Sequence, residues 1–128
     1  MIYLDSSVLL SQLLAENRPL PASFAASPLV SSRLLEFEVW NRIHARGLTR
    51  SHAEIARTAL DHVLLMDLTP QILARALQPF PVPVRTLDGL HLATIEYLRA
   101  GGGPIELASF DRRLIAGARA LGIAIYSL

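Results

Sequence analysis

Short apolar segments typical of buried strands alternate with helix-like segments along the whole chain. The first apolar segment is Ile2–Leu4, and the last two are Ile105–Ser109 and Ile123–Tyr126. This alternation predicts a parallel sheet with helices on both faces, which is a three-layer α/β/α sandwich. Because 128 residues is a typical length for one domain, we expect residues 1–128 to form a single domain.

Capping residues and periodicity predict where the other elements begin and end. Asp5, Ser6 or Ser7 can each cap a first helix, and Thr69 followed by Pro70 is typical of another helix start. The predicted helices are Val8–Ala15, a helix capped by Ser32 and ending near Arg46, Ser51–Leu64, Pro70–Leu77, a helix capped by Thr86 over Leu87–Arg99, and Asp111–Leu121. The other predicted strands are Leu29–Ser31 and Leu65–Leu68.

Composition excludes several classes of protein. There is no cysteine, which rules out disulfides, thiolate catalysis and zinc–cysteine sites. All twelve basic residues are arginine, so the lysine of a phosphate-binding loop or of a Schiff-base enzyme is absent. The N-terminus lacks the pattern of a signal peptide, and no apolar run is long enough to span a membrane. We therefore expect a cytoplasmic protein that does not bind a membrane.

Four acidic residues occupy positions that a parallel sheet would bring to one edge. Asp5 directly follows the first strand, and Asp111 follows the Ile105–Ser109 strand. Asp88 lies in the first turn of the helix capped by Thr86. Ligands of such sheets bind beyond the carboxyl ends of the strands. Taken singly, each aspartate is more typical of a helix cap or a turn, so the prediction of an active site depends on their convergence.

The fourth acid comes from the long helix after Ser32. Glu36 and Glu38 are separated by about 200° around a helix and cannot share a face. Glu38 lies beside the apolar stripe that contains Leu35 and Val39, whereas Glu36 lies on the opposite side. An acid on the core-facing side requires a partner, so we assign Glu38 to the site.

Clustered carboxylates require a cation. Two like charges about 4 Å apart repel by about 4 kcal/mol at an effective dielectric constant near 20. An all-oxygen ligand set favours Mg²⁺ or Mn²⁺. When the four acids of the predicted site are left out, the chain has 12 arginines and seven acids. This surplus of five positive charges suits a polyanionic substrate.

The chain resembles the PIN-domain nucleases, and among them the VapC-like toxins of bacterial toxin–antitoxin pairs. The resemblance covers nearly the whole chain and rests on four segments that each contain one of the acids: YLDSSVLL, SSRLLEFEVWNR, RTLDGLHLAT and ASFDRRLIAGARALGIAI. RTLDGLHLAT is the most specific of the four. Gly89 stands where the family commonly has alanine, and the chain ends in Ser-Leu where a proline is common. Neither departure affects an acid.

The resemblance implies a PIN-like fold and Mg²⁺- or Mn²⁺-dependent cleavage of RNA, with tRNA and rRNA as candidate substrates. It implies that Asp5, Glu38, Asp88 and Asp111 are catalytic and bind the metal. It also implies a homodimer and inhibition by a cognate antitoxin that covers the site. Ser7 and Ser109 occupy positions where the family often has polar residues near the metal, although both are equally typical of capping residues.

Other residues have both a functional and a structural interpretation. We expect His91, one turn after Asp88, to be packed or hydrogen-bonded and not a metal ligand. Arg85, Arg112 and Arg113 flank acids and can either hold phosphates or remain solvated. Large apolar side chains can either bind a partner or be buried in the core. This holds for the aromatic residues Phe24, Phe37 and Trp40 and for the apolar stretch Val8–Leu14.

Two other functions fit the same residues. One is a PIN-fold nuclease that processes RNA outside a toxin–antitoxin pair. The other is a non-catalytic binding module in which the acids are structural.

Overall fold

A five-stranded parallel sheet forms the centre of the computed structural model, which describes all 128 residues. The strands are β1 (Ile2–Leu4), β2 (Leu29–Ser32), β3 (Val63–Met66), β4 (Glu106–Ala108) and β5 (Ala124–Ile125). The helices are α1 (Ser6–Leu13), α2 (Ala22–Ala25), α3 (Leu34–Ala45), α4 (Thr49–Asp61), α5 (Pro70–Ala76), α6 (Thr86–Ala100) and α7 (Arg112–Ala120). The strand order is β3-β2-β1-β4-β5, which places β1 and β4 side by side.

Helices cover both faces of this sheet. Consecutive side chains of β1 point to opposite faces, as in any strand. Ile2 and Leu4 pack in one apolar cluster with residues of α1, α3 and α4, whereas Tyr3 packs in a second cluster with residues of α6 and α7. The predicted three-layer α/β/α sandwich is therefore confirmed.

The register between β1 and β4 aligns the residues that follow them. Leu4 pairs with Ala108, so Asp5 lies beside Ser109 at the carboxyl edge of the sheet. The backbone N–H of Asp5 donates to the carbonyl of Ala108 at 3.1 Å and extends the pairing by one residue. This register brings the first and last acidic segments of the chain together.

The predicted boundaries of α4 and β3 were wrong by two to three residues. Helix α4 spans Thr49–Asp61, where Ser51–Leu64 was predicted, and β3 spans Val63–Met66, where Leu65–Leu68 was predicted. Strand β3 begins at Val63 because that residue pairs with Leu29, the first residue of β2. The uninterrupted apolar run is Val63–Met66, but a short apolar run fits the end of a helix as well as a strand, so local periodicity did not locate the boundary.

Three predicted helix starts also require correction. Thr86 is the first residue of α6, and Arg85 precedes it as the N-cap. Ser32 is the last residue of β2, although its Oγ still accepts a hydrogen bond from the N–H of Leu34 at 3.1 Å. Asp111, predicted as the first residue of its helix, is the N-cap that precedes α7.

The aromatic residues considered for partner binding differ in exposure. Phe24 is buried, Trp40 is half-buried against the cluster on the α1–α3–α4 face, and Phe37 is 69% exposed. Within the Val8–Leu14 stretch, the Val8 side chain is buried. Among the seven helices, none combines the length and the apolar character needed to cross a membrane.

Candidate active site

Asp5 lies at the junction of β1 and α1 and is 5% exposed. Its Oδ2 accepts three hydrogen bonds, from Ser7 Oγ at 2.6 Å, Ser109 Oγ at 2.8 Å and Ser7 N at 3.4 Å. No protein group donates to Asp5 Oδ1. Every fully buried side-chain polar atom has a hydrogen-bond partner, so this unpartnered oxygen is open to the adjoining cavity.

Ser7 and Ser109 connect the ends of two neighbouring strands through Asp5. Ser7 Oγ accepts from the N–H of Phe110, and Ser109 Oγ accepts from the N–H of Asp111, both at 2.9 Å. Each serine hydroxyl has a single proton, and both protons are directed to Asp5. Ser7 lines the cavity, whereas Ser109 is buried behind Asp5. In this arrangement both serines orient the Asp5 carboxylate.

Glu38, in the second turn of α3, extends its carboxylate toward Asp5. Its Oε1 accepts from His91 Nε2 at 2.6 Å, and its Oε2 accepts from Ser6 Oγ at 3.4 Å. Ligand atoms of Asp5, Glu38 and His91 all lie within 4.8 Å of one another. Glu36 instead pairs with Arg33 on the exposed side of the helix.

His91 is buried and hydrogen-bonded on both ring nitrogens, as the packed interpretation predicted. Tyr3 Oη lies 2.7 Å from Nδ1, and Glu38 occupies Nε2. Burial raises the pKa of the Tyr3 phenol well above its ordinary value, so the hydroxyl keeps its proton at neutral pH. The residue pattern suggested this burial but not the contact with Glu38.

Asp88 and Asp111 are linked by one arginine. Arg85 Nε donates to Asp88 Oδ2 at 2.7 Å, and Arg85 Nη2 donates to Asp111 Oδ2 at 2.5 Å. These two bonds raise the pKa of the Arg85 guanidinium. Asp88 is only 8% exposed, and its Oδ1 accepts no hydrogen bond from the protein.

Asp111 also caps α7. Its Oδ1 accepts from the N–H groups of Arg113 and Leu114, at 2.9 and 3.4 Å. Partial burial disfavours the charged form of Asp111, but the hydrogen bonds from Arg85 and from these two N–H groups outweigh it and hold the pKa of the carboxyl below its ordinary value. Asp111 is therefore ionised at neutral pH.

All four acids line one cavity of about 400 Å³ at the carboxyl edge of the sheet. The cavity also contains Arg42 and Arg85, so four carboxylates face two guanidinium groups and the net formal charge of the lining is −2. Arg112 and Arg113 do not line it. Arg42 was missed in the sequence, although it follows Glu38 by four residues and helical spacing alone places it on the same face.

The donor set of this cavity fits a hard divalent cation. Asp5 Oδ1 and Asp88 Oδ1 accept no hydrogen bond from the protein, and the net negative charge of the lining favours a cation. Arg85 partly neutralises the two acids on the α6–α7 side but makes no contact with Asp5 or Glu38. A cation near Asp5 would therefore relieve the remaining repulsion.

Comparisons with known proteins agree with this geometry. The sequence profile described as "PIN domain" matches residues 2–120. The chain is similar to Ribonuclease VapC46 of Mycobacterium tuberculosis, at 34% identity over 97% of this chain and 95% of that protein. It is also similar to Ribonuclease VapC47 of the same species, at 29% identity over 99% and 96% of the two chains. A solved toxin–antitoxin complex from Klebsiella pneumoniae contains a chain of the same fold, with a TM-score of 0.68, 18% identity and 94% of each chain covered.

Proposed function

Because this chain belongs to the PIN-domain family and resembles its VapC ribonucleases along almost its whole length, we propose that it is a metal-dependent endoribonuclease that acts as the toxin of a toxin–antitoxin pair. The observation that carries the proposal is the convergence of Asp5, Glu38, Asp88 and Asp111 on one cavity at the carboxyl edge of the sheet. Residues 1–128 would act as one nuclease domain, because both apolar clusters pack on the same sheet.

We assign the four acids as the ligands of Mg²⁺ or Mn²⁺ and as the catalytic residues. When bound, such a metal lowers the pKa of a coordinated water and stabilises charge on the phosphoryl oxygens. Asp5 would hold the cation through Oδ1, because its Oδ2 is occupied by Ser7 and Ser109. These two serines would therefore contribute to the metal site by fixing Asp5.

The cationic residues of the cavity would bind the substrate. Arg42 makes no ion pair and shares the cavity with the acids, so it is available to a phosphate oxygen of the RNA. The protein then needs no nucleophilic side chain, since the attacking group is water. Water forms a new P–O bond as the P–O bond to one ribose oxygen breaks; that oxygen leaves as a hydroxyl after taking up a proton, and the phosphate stays on the other fragment.

The proposed partners are RNA and a cognate antitoxin. The relatives are named ribonucleases, and the structural neighbour comes from a toxin–antitoxin complex. We further propose a homodimer that acts in the cytoplasm on tRNA or rRNA. An antitoxin that covers the acidic cavity would block access of both RNA and metal.

The direct test is cleavage of total cellular RNA by the purified protein with Mn²⁺, with Mg²⁺ and with excess EDTA. We expect cutting only with metal, and loss of at least about a hundredfold in rate for Asp5→Asn. Gln71→Glu, a charge change at an exposed residue of α5 outside the cavity, serves as the control. Equal cutting in EDTA would contradict the metal mechanism.

Expression in cells separates the toxin from an RNA-processing nuclease. A toxin arrests growth, the Asp5→Asn variant does not, and sequencing of RNA 5′ ends identifies the cleaved bond. A protein that cuts RNA without arresting growth would be a processing nuclease. A protein that neither cuts RNA nor gains thermal stability with Mn²⁺ would be a binding module.

A further inference from the structure

A second cavity, of about 210 Å³, opens beside the acidic cavity. Arg18, Arg42, Arg46 and Phe110 line it, and we call it the arginine cleft. The two cavities share four lining residues, which are Ser7, Leu10, Arg42 and Asp111. The cleft is therefore a continuation of the acidic cavity and not a separate depression elsewhere on the surface.

The three guanidinium groups of the cleft carry uncompensated positive charge. None lies within 4.0 Å of a carboxylate oxygen, whereas Arg33, Arg75 and Arg85 are each paired with an acid. The two acids of the cleft lining are Glu16 and Asp111, and Asp111 is already paired with Arg85. The cleft is therefore a cationic region next to an anionic one.

Two of these arginines continue a row of side chains on helix α3 that begins with an acid of the acidic cavity. Glu38 and Arg42 lie four residues apart on one face of the helix, and Arg46, four residues further, is the C-cap residue that ends it, so successive members are about 6 Å apart along the axis. The row begins at a proposed metal ligand and proceeds into the cleft. Arginines at regular intervals leading away from the reaction centre can contact successive phosphates of one strand.

Arg18 and Phe110 contact each other in the lining of the cleft. The guanidinium carbon of Arg18 lies 4.4 Å from the centroid of the Phe110 ring. Phe110 is held in place because its backbone N–H donates to Ser7 Oγ at 2.9 Å. Aromatic rings and arginine planes are the surfaces on which unpaired nucleobases stack.

We propose that the arginine cleft binds the single-stranded RNA segment that adjoins the cleaved bond, with Arg42 and Arg46 on its phosphates and a base stacked on the Arg18–Phe110 pair. This inference rests on the proposed nuclease function, because the acidic cavity defines where the bond is cut. Specificity for an unpaired flank follows, since a base within a duplex cannot reach the stacking surface.

The first test measures the affinity of the intact protein for a fluorescent single-stranded RNA at several salt concentrations. EDTA is present throughout, so that no cleavage occurs. Arg18→Gln/Arg46→Gln should weaken binding about tenfold and reduce the slope of log K against log salt by about 0.7, because the one phosphate contact of Arg46 is lost. Phe110→Leu should weaken binding with the slope unchanged, because stacking releases no counterions. Arg119→Gln, an exposed arginine near the end of α7, is the matched control.

The second test is steady-state cleavage with Mn²⁺, for variants that match the wild type in melting temperature and Mn²⁺ affinity. We expect KM to rise in Arg18→Gln/Arg46→Gln with a much smaller change in kcat. If the Arg18→Gln/Arg46→Gln variant equalled Arg119→Gln in RNA affinity, in salt slope and in KM, the cleft assignment would be overturned. Cleavage by the wild type would still support the nuclease function. Unchanged RNA binding together with lost binding of polyglutamate would also overturn it and assign the cleft to an acidic peptide. Failure of the wild type to cleave any RNA would instead contradict the proposed function.

Discussion

His91 Nε2 donates a hydrogen bond to Glu38 Oε1 over 2.6 Å, at the edge of the acidic cavity. An ionised carboxylate can only accept, so Nε2 carries a proton, and the other ring nitrogen, Nδ1, is hydrogen-bonded with Tyr3 Oη over 2.7 Å. The result is a chain of hydrogen bonds from Tyr3 through His91 to Glu38. A buried chain of this kind holds the Glu38 carboxylate in one orientation.

Replacing His91 therefore tests the position of Glu38. His91→Leu should lower the affinity for Mn²⁺ about tenfold and reduce kcat, because Glu38 loses its only close hydrogen-bond donor. His91→Gln should retain much of both, since its amide can still donate to Glu38. Titration of Mn²⁺ by thermal shift measures the affinity apart from activity. Exposed His62→Leu serves as the control, and equal Mn²⁺ affinity in all three variants would contradict the role of His91.

Arg85 links Asp88 to Asp111 and supplies them with a positive charge. In Arg85→Gln the two carboxylates repel without compensation, so the melting temperature in EDTA should fall. The increase in melting temperature on adding Mn²⁺ should then be larger than in the wild type, because the cation replaces the lost charge. Arg112→Gln, which removes an exposed neighbouring charge without an ion pair, is the control. A smaller metal-induced increase than in the wild type would show that Arg85 assists metal binding and does not compete with it.

Burial of Tyr3 predicts a loss of stability at high pH. Its pKa is raised in the folded protein, so stability is fully present below the unfolded pKa of about 10 and decreases as the pH rises toward the folded value. The chain has no lysine, so its three tyrosines and the N-terminal amine are the groups that titrate between about pH 8 and 11. The free energy of unfolding in EDTA should decrease by up to about 1.4 kcal/mol per pH unit above pH 10.

Tyr3→Phe should remove most of this alkaline slope while lowering the stability at neutral pH. Tyr97→Phe, at a tyrosine that is 41% exposed, should leave the slope as in the wild type. Urea unfolding at several pH values measures both quantities. Identical slopes in the wild type and Tyr3→Phe would show that Tyr3 is not the group responsible.

Gly117 marks a close approach between α7 and α6. A Cβ atom at this position would lie 2.8 Å from Leu92 Cδ1 and 3.3 Å from Val84 Cγ1, and Leu92 is fully buried. Overpacking costs about 1–3 kcal/mol, which outweighs the gain of about 1 kcal/mol in helix propensity from Gly to Ala. Gly117→Ala should therefore lower the free energy of unfolding in urea. The exposed Ala116→Gly on the same helix isolates the propensity effect, and a more stable Gly117→Ala would mean that Leu92 adjusts without cost.

Alternation of apolar strands and helices was sufficient to predict the three-layer fold, because the pattern depends only on which face each side chain buries. It also placed Asp5 at the end of β1, and the angular offset of about 200° between Glu36 and Glu38 singled out the glutamate that reaches the cavity. Both inferences concern residues that are close in sequence. Strand and helix boundaries such as Val63–Met66 were less accurate, because pairing between strands sets them.

Only the tertiary structure decided which distant side chains meet. Tyr3, Glu38 and His91 come from three different elements, and Arg85 contacts Asp111 across 26 positions. Such contacts depend on the strand order β3-β2-β1-β4-β5 and on the register that sets Leu4 against Ala108. Periodicity records the face of each helix or strand but carries no information about its neighbours, so the hydrogen bonds that orient the acids emerge only once the sheet is assembled.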